Sequence, residues 1–269
     1  MRIAFFAMVV VLPLSLLADD LASPRRDNIK AEVGNLVDHP WAGEYSDSMQ
    51  GLDMGPSYVW LAPKNGAAYL CEGWMTDSDY GTISVDESVI RIKWENPSRT
   101  GRSPTERELI LVRYRKYIFL VPKTQIHAFC LAVRGEGKLP MGLLRRVNHA
   151  FDPKEPDAIP HVPPQFKPYL DLPPIVTKVT QTDTQTRERI GDDDEVVRQV
   201  VTIDVGAEHH VFPGMRFQRK REDEDDAFPM IEVKTVRASE SDAELRYYVE
   251  PNNKIPQVAV GEAYVTTRW

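Results

Sequence analysis

Residues 57–71 read SYVWLAPKNGAAYLC, and this stretch sets the architecture of the first half of the chain. Two mostly apolar runs, Tyr58–Ala62 and Ala67–Cys71, flank the turn residues Lys64-Asn65-Gly66. Asn-Gly between such runs is a strong short-range signal of a β-hairpin, because both residues tolerate the backbone angles of a tight turn. The sequence therefore predicts an antiparallel hairpin at this position.

The same pattern of short β-prone runs and turn residues continues through the region from Trp41 to Val133. Asp86-Glu87-Ser88 and Arg115-Lys116 separate further pairs of runs rich in branched and aromatic residues, which favour strands. Together they predict an antiparallel β-meander. The predicted strands are Tyr58–Ala62, Ala67–Cys71, Tyr80–Val85, Val89–Trp94, Glu108–Tyr114 and Tyr117–Val121.

The hydrophobic spacing changes after the last of these strands. Ile126, Phe129, Cys130 and Val133 fall at positions i, i+3, i+4 and i+7, which lie on one face of a helix, and Gly135 marks its end. We expect this single helix to cover one face of the meander, with Cys130 on the covered side.

The N-terminal residues 1–18 have the features of a secretory signal peptide. Arg2 precedes the apolar run Ile3–Leu17, and the small residue Ala18 stands directly before Asp19. The apolar run is too short to be a good membrane span. The sequence therefore predicts a periplasmic or secreted protein that begins at Asp19 and has no stable membrane insertion after cleavage.

The chain contains two cysteines, Cys71 and Cys130. An oxidising compartment joins cysteines that lie close together. Cys71 ends a predicted strand and is placed to face the covered side of the predicted helix, so we expect a disulfide between the two. Two buried free thiols are the alternative, because cysteine is among the most buried residue types.

A proline-rich segment, residues 148–174, separates two regions of strand-like pattern. Such a density of proline predicts an extended, semi-rigid linker. The alternative is a strap lying across the first domain and held by Phe151, Phe166 and Tyr169. The predicted organisation is a signal peptide at 1–18, a polar lead with a short helix after Ser23-Pro24 at 19–40, a meander domain at 41–147, the linker at 148–174 and a second domain at 175–269.

Alternation with a period of two returns after the linker. Val176–Thr184 and Glu195–Val205 flank an acidic tip and predict another hairpin. Many short strands in one small domain favour a closed β-barrel, because closure leaves no unpaired strand edges. The further predicted strands are Met215–Lys220, Met230–Ala238, Ala243–Val249 and Ala263–Arg268.

Three segments of the second domain carry a pattern of their own: Val201–Gly206, Val211–Phe217 and Ile231–Val236, with Val260-Gly261-Glu262 later. This pattern resembles the small β-barrel modules of bacterial envelope proteins, such as the rod-shape protein MreC and the C-terminal part of some flagellar assembly proteins. Gly206 and Gly214 are expected to permit turns closed to other residues. The resemblance covers residues 200–266 and implies an extracytoplasmic structural or interaction module without catalytic residues.

Composition and motifs argue against several classes of function. With 33 Lys and Arg against 40 Asp and Glu, the net charge of -7 does not suit a nucleic-acid partner. No nucleotide-binding loop, hydrolase elbow or zinc-binding helix motif occurs in the sequence. On a strand the adjacent His209 and His210 would point to opposite faces and would not share a metal ion, whereas on a turn they could. We interpret His127 as a helix surface or edge residue near Cys130 rather than its catalytic partner. We therefore predict no catalytic residue, no metal site and no cofactor.

Aromatic residues are concentrated near the start of the meander. Trp41, Tyr45, Tyr58, Trp60 and Trp74 form a candidate surface on which a glycan or peptide stacks. The alternative is that these side chains build a half-buried core, because alternate residues of a strand share one face.

Taken together, the sequence predicts a mainly β protein with an N-terminal meander and a small C-terminal barrel. We expect an exported, non-catalytic binding or structural component of the bacterial envelope with a protein or glycan partner. The alternative is a carboxylate-dependent hydrolase that acts on an envelope glycan or peptide, since glycoside hydrolysis uses paired carboxylates. The candidate carboxylates for that alternative are Glu44, Asp47, Asp53, Glu72 and Asp77.

Overall fold

The structure, a computed structural model, describes ten ranges of the chain. Within these ranges the chain forms two closed β-barrels and three α-helices, so the predicted mainly β fold class is confirmed. None of the helices in these ranges is long and apolar enough to cross a membrane. The described residues are 23–36, 39–47, 56–71, 77–95, 106–136, 143–147, 159–189, 195–220, 230–249 and 257–266.

The first barrel consists of eight antiparallel strands, and each strand pairs with the next one along the chain. This order confirms the predicted meander, whose six predicted strands correspond to β2 through β7. The strands are β1 Gly43–Asp47, β2 Ser57–Ala62, β3 Gly66–Cys71, β4 Asp77–Asp86, β5 Val89–Trp94, β6 Glu106–Tyr114, β7 Tyr117–Pro122 and β8 Leu144–Arg146.

Two strands that the sequence analysis missed close this barrel. Tyr45 of β1 pairs with Arg146 of β8, and β8 also pairs with β7 where Arg145 lies opposite Phe119. Neither strand carries a recognisable pattern, because β1 begins with Gly43 and contains two acidic residues, and β8 has three residues of which two are arginines. Their strand conformation depends on their neighbours in the barrel.

Both faces of β6 are apolar because both are covered. Leu109 belongs to the cluster that fills the barrel and Leu111 packs against it, whereas Ile110 and Val112 belong to a second cluster outside it. A strand buried on both faces has a nearly continuous apolar run rather than clean alternation. The interior of the barrel is filled by Tyr45, Val59, Leu61, Ala67, Ile90, Ile92, Trp94, Leu109, Ile118 and Leu120.

The β2–β3 hairpin forms as predicted. Its loop is three residues long, and Gly66 directly after the loop has a φ of 86°, the left-handed conformation that glycine favours. The carboxylate of Glu32 accepts hydrogen bonds of 3.0 Å from the backbone N–H groups of both Lys64 and Asn65. This contact ties the hairpin tip to the helix that carries Glu32.

Two helices, rather than the one predicted, cover the first barrel. Helix α1, Pro24–Gly34, begins with proline at its first position as predicted and packs Ile29 against Trp60 and its neighbours on β2 and β3. Helix α2, Ile126–Glu136, packs its predicted apolar face on the outer side of β6 and β7. The barrel wall is therefore shielded on two sides.

The described part of the proline-rich segment, residues 159–174, packs against both barrels and is named the strap below. His161 pairs with Arg113 at the end of β6 through backbone hydrogen bonds of 2.7 and 3.2 Å. Val162, Phe166 and Tyr169 are buried, and the short helix α3 spans Pro168–Asp171. This packing corresponds to the strap alternative; Phe151 lies outside the described residues.

The second barrel is closed, as predicted. Its sheet has the order β10-β11-β14-β13-β12-β15-β9, and β9 pairs with both β15 and β11. Strand β10 extends the sheet beyond the closed part. The strands are β9 Val176–Thr182, β10 Thr186–Arg189, β11 Glu195–Ile203, β12 Arg216–Arg219, β13 Met230–Val236, β14 Ser241–Val249 and β15 Ala263–Thr266.

One hydrophobic cluster connects the two barrels. It extends from the outer face of β5, β6 and β7 through α2 and the strap into the interior of the second barrel. Tyr169 of the strap lies within it, and the hydroxyl of Tyr169 donates a hydrogen bond of 2.9 Å to the carbonyl oxygen of His210. The two barrels are thus fused through shared apolar packing.

The predicted disulfide between Cys71 and Cys130 is absent, and both are free thiols. The prediction assumed an open sheet in which the end of β3 lay under the helix. In the closed barrel β3 is four strands away from β7, on whose outer side α2 packs. The barrel wall and its filled interior separate the two thiols.

Candidate functional site

A groove of about 340 Å³ opens at one end of the first barrel, beside the turn that joins β4 to β5. One wall is this turn, with Glu87 and Ser88, and the other is the strap, with His161, Val162 and Pro163. We call this site the groove below.

The floor of the groove is apolar because interior-facing side chains reach the open end of the barrel there. Ile90 of β5 belongs to the interior cluster, and Leu111 of β6 packs against it. Strand β6 continues to Tyr114, whereas its pairing with β5 ends where Val89 lies opposite Ile110. The strap pairs with β6 beyond that point, and a recess remains between the strap and the β4–β5 turn.

Hydrophobic side chains at the groove are exposed to solvent. Val85 lines the groove and is 41% exposed. Ile159, the first residue of the strap, is 64% exposed but does not line the groove. An apolar recess with an exposed aliphatic side chain at its wall is typical of a contact surface for another molecule. The groove therefore has the character of a binding site.

Hydrogen bonds of the neighbouring residues hold the backbone on both sides of Trp41 at the groove. Nδ1 of His39 accepts a hydrogen bond of 3.0 Å from the backbone N–H of Ala42, and the His39 ring packs edge-on against the Trp41 indole at 4.9 Å. The guanidinium of the buried Arg146 donates to the carbonyl oxygens of His39 and Ala42. Burial, with a smaller contribution from the Arg146 charge, lowers the pKa of His39. A fixed indole lowers the entropy lost on binding.

The end of the β6–β7 hairpin next to the groove is strongly basic. Arg113 lines the groove, and Arg115 and Lys116 follow it in the turn. Arg145 of β8 lies over the Tyr117 ring at 4.7 Å, and the ammonium of Lys116 lies 5.4 Å from the same ring centre. We call Arg113, Arg115, Lys116 and Arg145 the basic hairpin tip.

The five predicted binding-surface residues do not form one surface. Trp41 lines the groove, but Tyr45 is fully buried inside the barrel and Trp60 is buried beneath α1, so neither contributes to a surface. Tyr58 is half-buried and stacks on Trp60 with ring centres 5.6 Å apart. For Tyr45 and Trp60 the core alternative is correct, because barrel closure and α1 cover them. Trp74 lies outside the described residues.

The structure does not bring together the carboxylates of the hydrolase alternative in the ranges it describes. Glu44 and Asp47 lie at odd spacing on β1 and so face opposite sides of the strand. Burial raises the pKa of Asp47, although its carboxylate accepts a hydrogen bond of 2.7 Å from the Ser57 N–H. Asp53 and Glu72 lie outside those ranges, and Asp77 begins β4. Among the described His, Cys, Asp and Glu residues, no group of three or more is placed to hold a metal ion.

Cys130 and His127 do not form an activated nucleophile. His127 is 2% exposed, so its interpretation as a helix surface residue is wrong. Burial raises the pKa of the Cys130 thiol to about 12 and lowers the pKa of His127. A buried thiol held in its neutral form is a poor nucleophile. Both residues serve the packing of α2 against the strap.

The sequence analysis does not identify most residues of the groove as candidate binding residues. They come from four separate parts of the chain: the residues before β1, the β4–β5 turn, β6 and the strap. Only Trp41 had been singled out, because local aromatic density was the available signal. No protein family, no curated protein and no solved structure matches this chain. A function for the chain therefore has to be inferred from the groove and its surroundings.

Proposed function

We propose that this chain is an exported, non-catalytic binding protein of the bacterial envelope, and that its first barrel captures an apolar part of a protein partner. The observation that carries the proposal is the groove of about 340 Å³ with its apolar floor and exposed Val85. Sites of roughly 300 to 1,000 Å³ with an apolar lining and few polar groups are typical of ligand binding.

The lining favours binding over hydrolysis. Glu87 is the carboxylate that lines the groove, whereas glycoside hydrolysis by the usual mechanism requires two carboxyl groups on either side of the scissile bond. The remaining polar lining side chains are Ser88, Arg113 and His161. These groups orient a ligand without supplying a pair of acids.

The lining also favours a protein segment over a glycan. Trp41 is the aromatic residue of the lining, and the other apolar contacts come from aliphatic side chains and prolines, among them Leu111, Val162 and Pro163. Sugars stack on aromatic rings and need many hydrogen bonds, whereas an aliphatic recess suits a hydrophobic side chain of a polypeptide.

Two features support a role in the envelope. Residues 1–18 have the pattern of a signal peptide, and residues 200–266, which form most of the second barrel, resemble MreC-like and flagellar assembly modules. The cluster shared by α2, the strap and the second barrel gives the groove a fixed position relative to that module.

Enrichment of partners from a periplasmic extract tests the binding role. Val85→Asp places a charge in the apolar lining of the groove at a partly exposed position and is expected to abolish specific enrichment. Val176→Asp is the matched control, because Val176 is 50% exposed on the second barrel. Quantitative mass spectrometry compares the two variants with the wild type. Equal enrichment by all three proteins would contradict the proposal.

Export is tested by the mass of the protein recovered from expressing cells. We expect the mature chain to begin at Asp19, because Ala18 is the small residue before the predicted cleavage site. A full-length chain that starts at Met1 and remains in the cytosol would contradict the envelope role and leave the groove experiment unaffected.

A further inference from the structure

We propose that the partner is an acidic protein segment: an apolar side chain enters the groove, and neighbouring carboxylates contact the basic hairpin tip. This inference rests on the proposed binding function and names the chemistry of the partner. It is carried by the juxtaposition of an apolar recess with Arg113, Arg115, Lys116 and Arg145.

The charge of the tip is opposite to that of the whole chain. The chain has a net charge of -7, whereas the tip places four basic side chains within one hairpin and the adjoining strand. An acidic partner is repelled by most of an acidic protein and attracted at a local basic surface, so the charge pattern orients the encounter. The partner's carboxylates are thereby directed to the edge of the groove.

Aromatic rings hold the tip cations in place. The ring of Tyr117 has the Arg145 guanidinium at 4.7 Å and the Lys116 ammonium at 5.4 Å, and the Arg115 guanidinium lies 5.1 Å from the Tyr114 ring. Cation–π contacts of this kind restrict long side chains that otherwise sample many rotamers. When a carboxylate of the partner binds there, the basic side chains of the tip therefore lose less conformational entropy.

The shape of the site favours a polypeptide over a membrane. The groove is a recess between the Glu87-Ser88 turn and the strap, and its volume of about 340 Å³ suits one large side chain. Glu87 on one wall would repel anionic lipid headgroups, whereas a peptide can place its carboxylates on the side of Arg113 and the tip. Binding of the tip to a membrane surface is tested as the alternative below.

Fluorescence anisotropy of three labelled hexapeptides tests the inference. Each probe has Leu-Phe at its centre, and the flanking residues are Glu and Asp in the first, Ser in the second and Lys in the third. We expect the acidic probe to bind on the order of tenfold more tightly than the Ser probe, and the Lys probe to bind most weakly. Added salt should reduce the difference between the acidic and Ser probes.

Paired variants separate the tip from the overall charge. Arg115→Gln with Lys116→Gln is expected to weaken binding of the acidic probe by about three- to tenfold and to leave the Ser probe unchanged. Lys178→Gln with Lys220→Gln removes the same charge from exposed positions of the second barrel and should change neither. Val85→Asp should abolish binding of both probes, and Val176→Asp should not.

The outcomes distinguish the two proposals. Equal affinity for the three probes, lost in Val85→Asp, would overturn the acidic partner and support the groove as a binding site. The inference would be overturned if Val85→Asp still bound the acidic probe, or if no probe bound the wild type. The enrichment experiment with periplasmic extract tests the groove independently of these probes. Flotation with phosphatidylglycerol vesicles that depends on Arg115 and Lys116 would instead assign the tip to a membrane.

Discussion

Cys130 lies on α2 among apolar side chains, and burial raises the pKa of its thiol to about 12. Cys71 ends β3 in a half-buried position on the opposite part of the barrel. The two thiols therefore differ in access to solvent, and a labelling reagent can react only with a thiol that it reaches.

Thiol labelling checks this difference. In the native protein Cys71 should react and Cys130 should not, because Cys130 is buried and held in its neutral form. Unfolding in denaturant without reductant should then expose two reactive thiols per chain. Cys130→Ser serves as the control that assigns the slow site. Failure to label either cysteine in the unfolded chain would indicate a disulfide.

Gly206 and Gly214 are required for different reasons, although the sequence predicts the same reason, an unusual turn, for both. Gly214 has a φ of 87°, the left-handed region, and a Cβ there would collide with Thr124, the residue that precedes α2 by two positions. Gly206 has an extended φ of -142°, which any residue adopts. A Cβ at Gly206 would instead collide with the backbone carbonyls of Arg237 and Ala238. Close approach of two backbone segments, rather than an unusual turn, explains that glycine.

Substitution of Gly206 by alanine should therefore destabilise the protein. Backbone carbonyls cannot move aside as a flexible side chain would, so we expect a loss of about 2 kcal/mol or more in the free energy of unfolding. Gly34→Ala is the matched control, because a Cβ at the end of α1 meets nothing within 4 Å and should stabilise the helix by about 0.5 kcal/mol. Urea unfolding of both variants measures the difference. Equal stabilities would contradict the close approach.

At the scale of secondary-structure elements, α2 and the strap form the joint between the barrels. His127 of α2 is buried against the strap, with Nε2 3.4 Å from the Leu172 carbonyl oxygen and its ring 5.7 Å from the Tyr169 ring. Burial is the largest cause that lowers the pKa of His127, and the charges of Arg134 and His210 act in the same direction. The joint therefore favours a neutral imidazole.

Acidification should weaken this joint. In the unfolded state His127 binds a proton with the ordinary histidine pKa of 6.5, whereas in the folded state it binds the proton only at lower pH. The contribution of the neutral imidazole to the free energy of unfolding is therefore complete above pH 6.5 and decreases as the pH falls. Urea unfolding between about pH 7.5 and 5 measures the slope. His127→Gln should reduce the slope of the unfolding free energy against pH. Part of the slope should remain, because the pKa of His39 is lowered as well. His161→Gln, at an exposed position, is the control. An unchanged slope in His127→Gln would contradict this role.

At the scale of the whole molecule, a single cluster of buried side chains spans the two barrels. Domains joined only by a free linker unfold separately, whereas domains that share a core lose it together. Tyr169 stands in the middle of this packing, with the rings of His127, Phe166 and Phe212 around it at 5.6 to 6.5 Å. We therefore expect coupling between the barrels to depend on Tyr169.

Calorimetry checks the coupling. We expect one unfolding transition for the wild type, and we expect Tyr169→Ala to lose about 3 to 4 kcal/mol and to separate the unfolding of the two barrels. Tyr58→Ala is the control, because Tyr58 packs under α1 and away from the joint. It should lower the midpoint of the single transition without dividing it. Two separate transitions in the wild-type protein would argue that the barrels are independent.

Local pattern alone was sufficient for much of this architecture. Strands β2 to β7, the hairpin around Asn65-Gly66, the apolar face of α2 and the closed second barrel follow from alternation, turn residues and helical spacing. Each of these signals depends on neighbours a few residues apart, which interact before any distant contact forms.

Contacts between distant parts of the chain account for the rest. Strands β1 and β8 carry no apolar run, so their pairing through Tyr45 and Arg146 depends on the edges that β2 and β7 present. That closure places Cys71 and Cys130 on different sides of a filled barrel, buries Tyr45, and assembles the groove from four segments. Periodicity records which face of an element is apolar, but it does not record which other element will cover that face. For this reason strands β2 to β7 could be predicted from the sequence, whereas the separation of the two thiols and the assembly of the groove depend on closure of the barrel and packing of the strap.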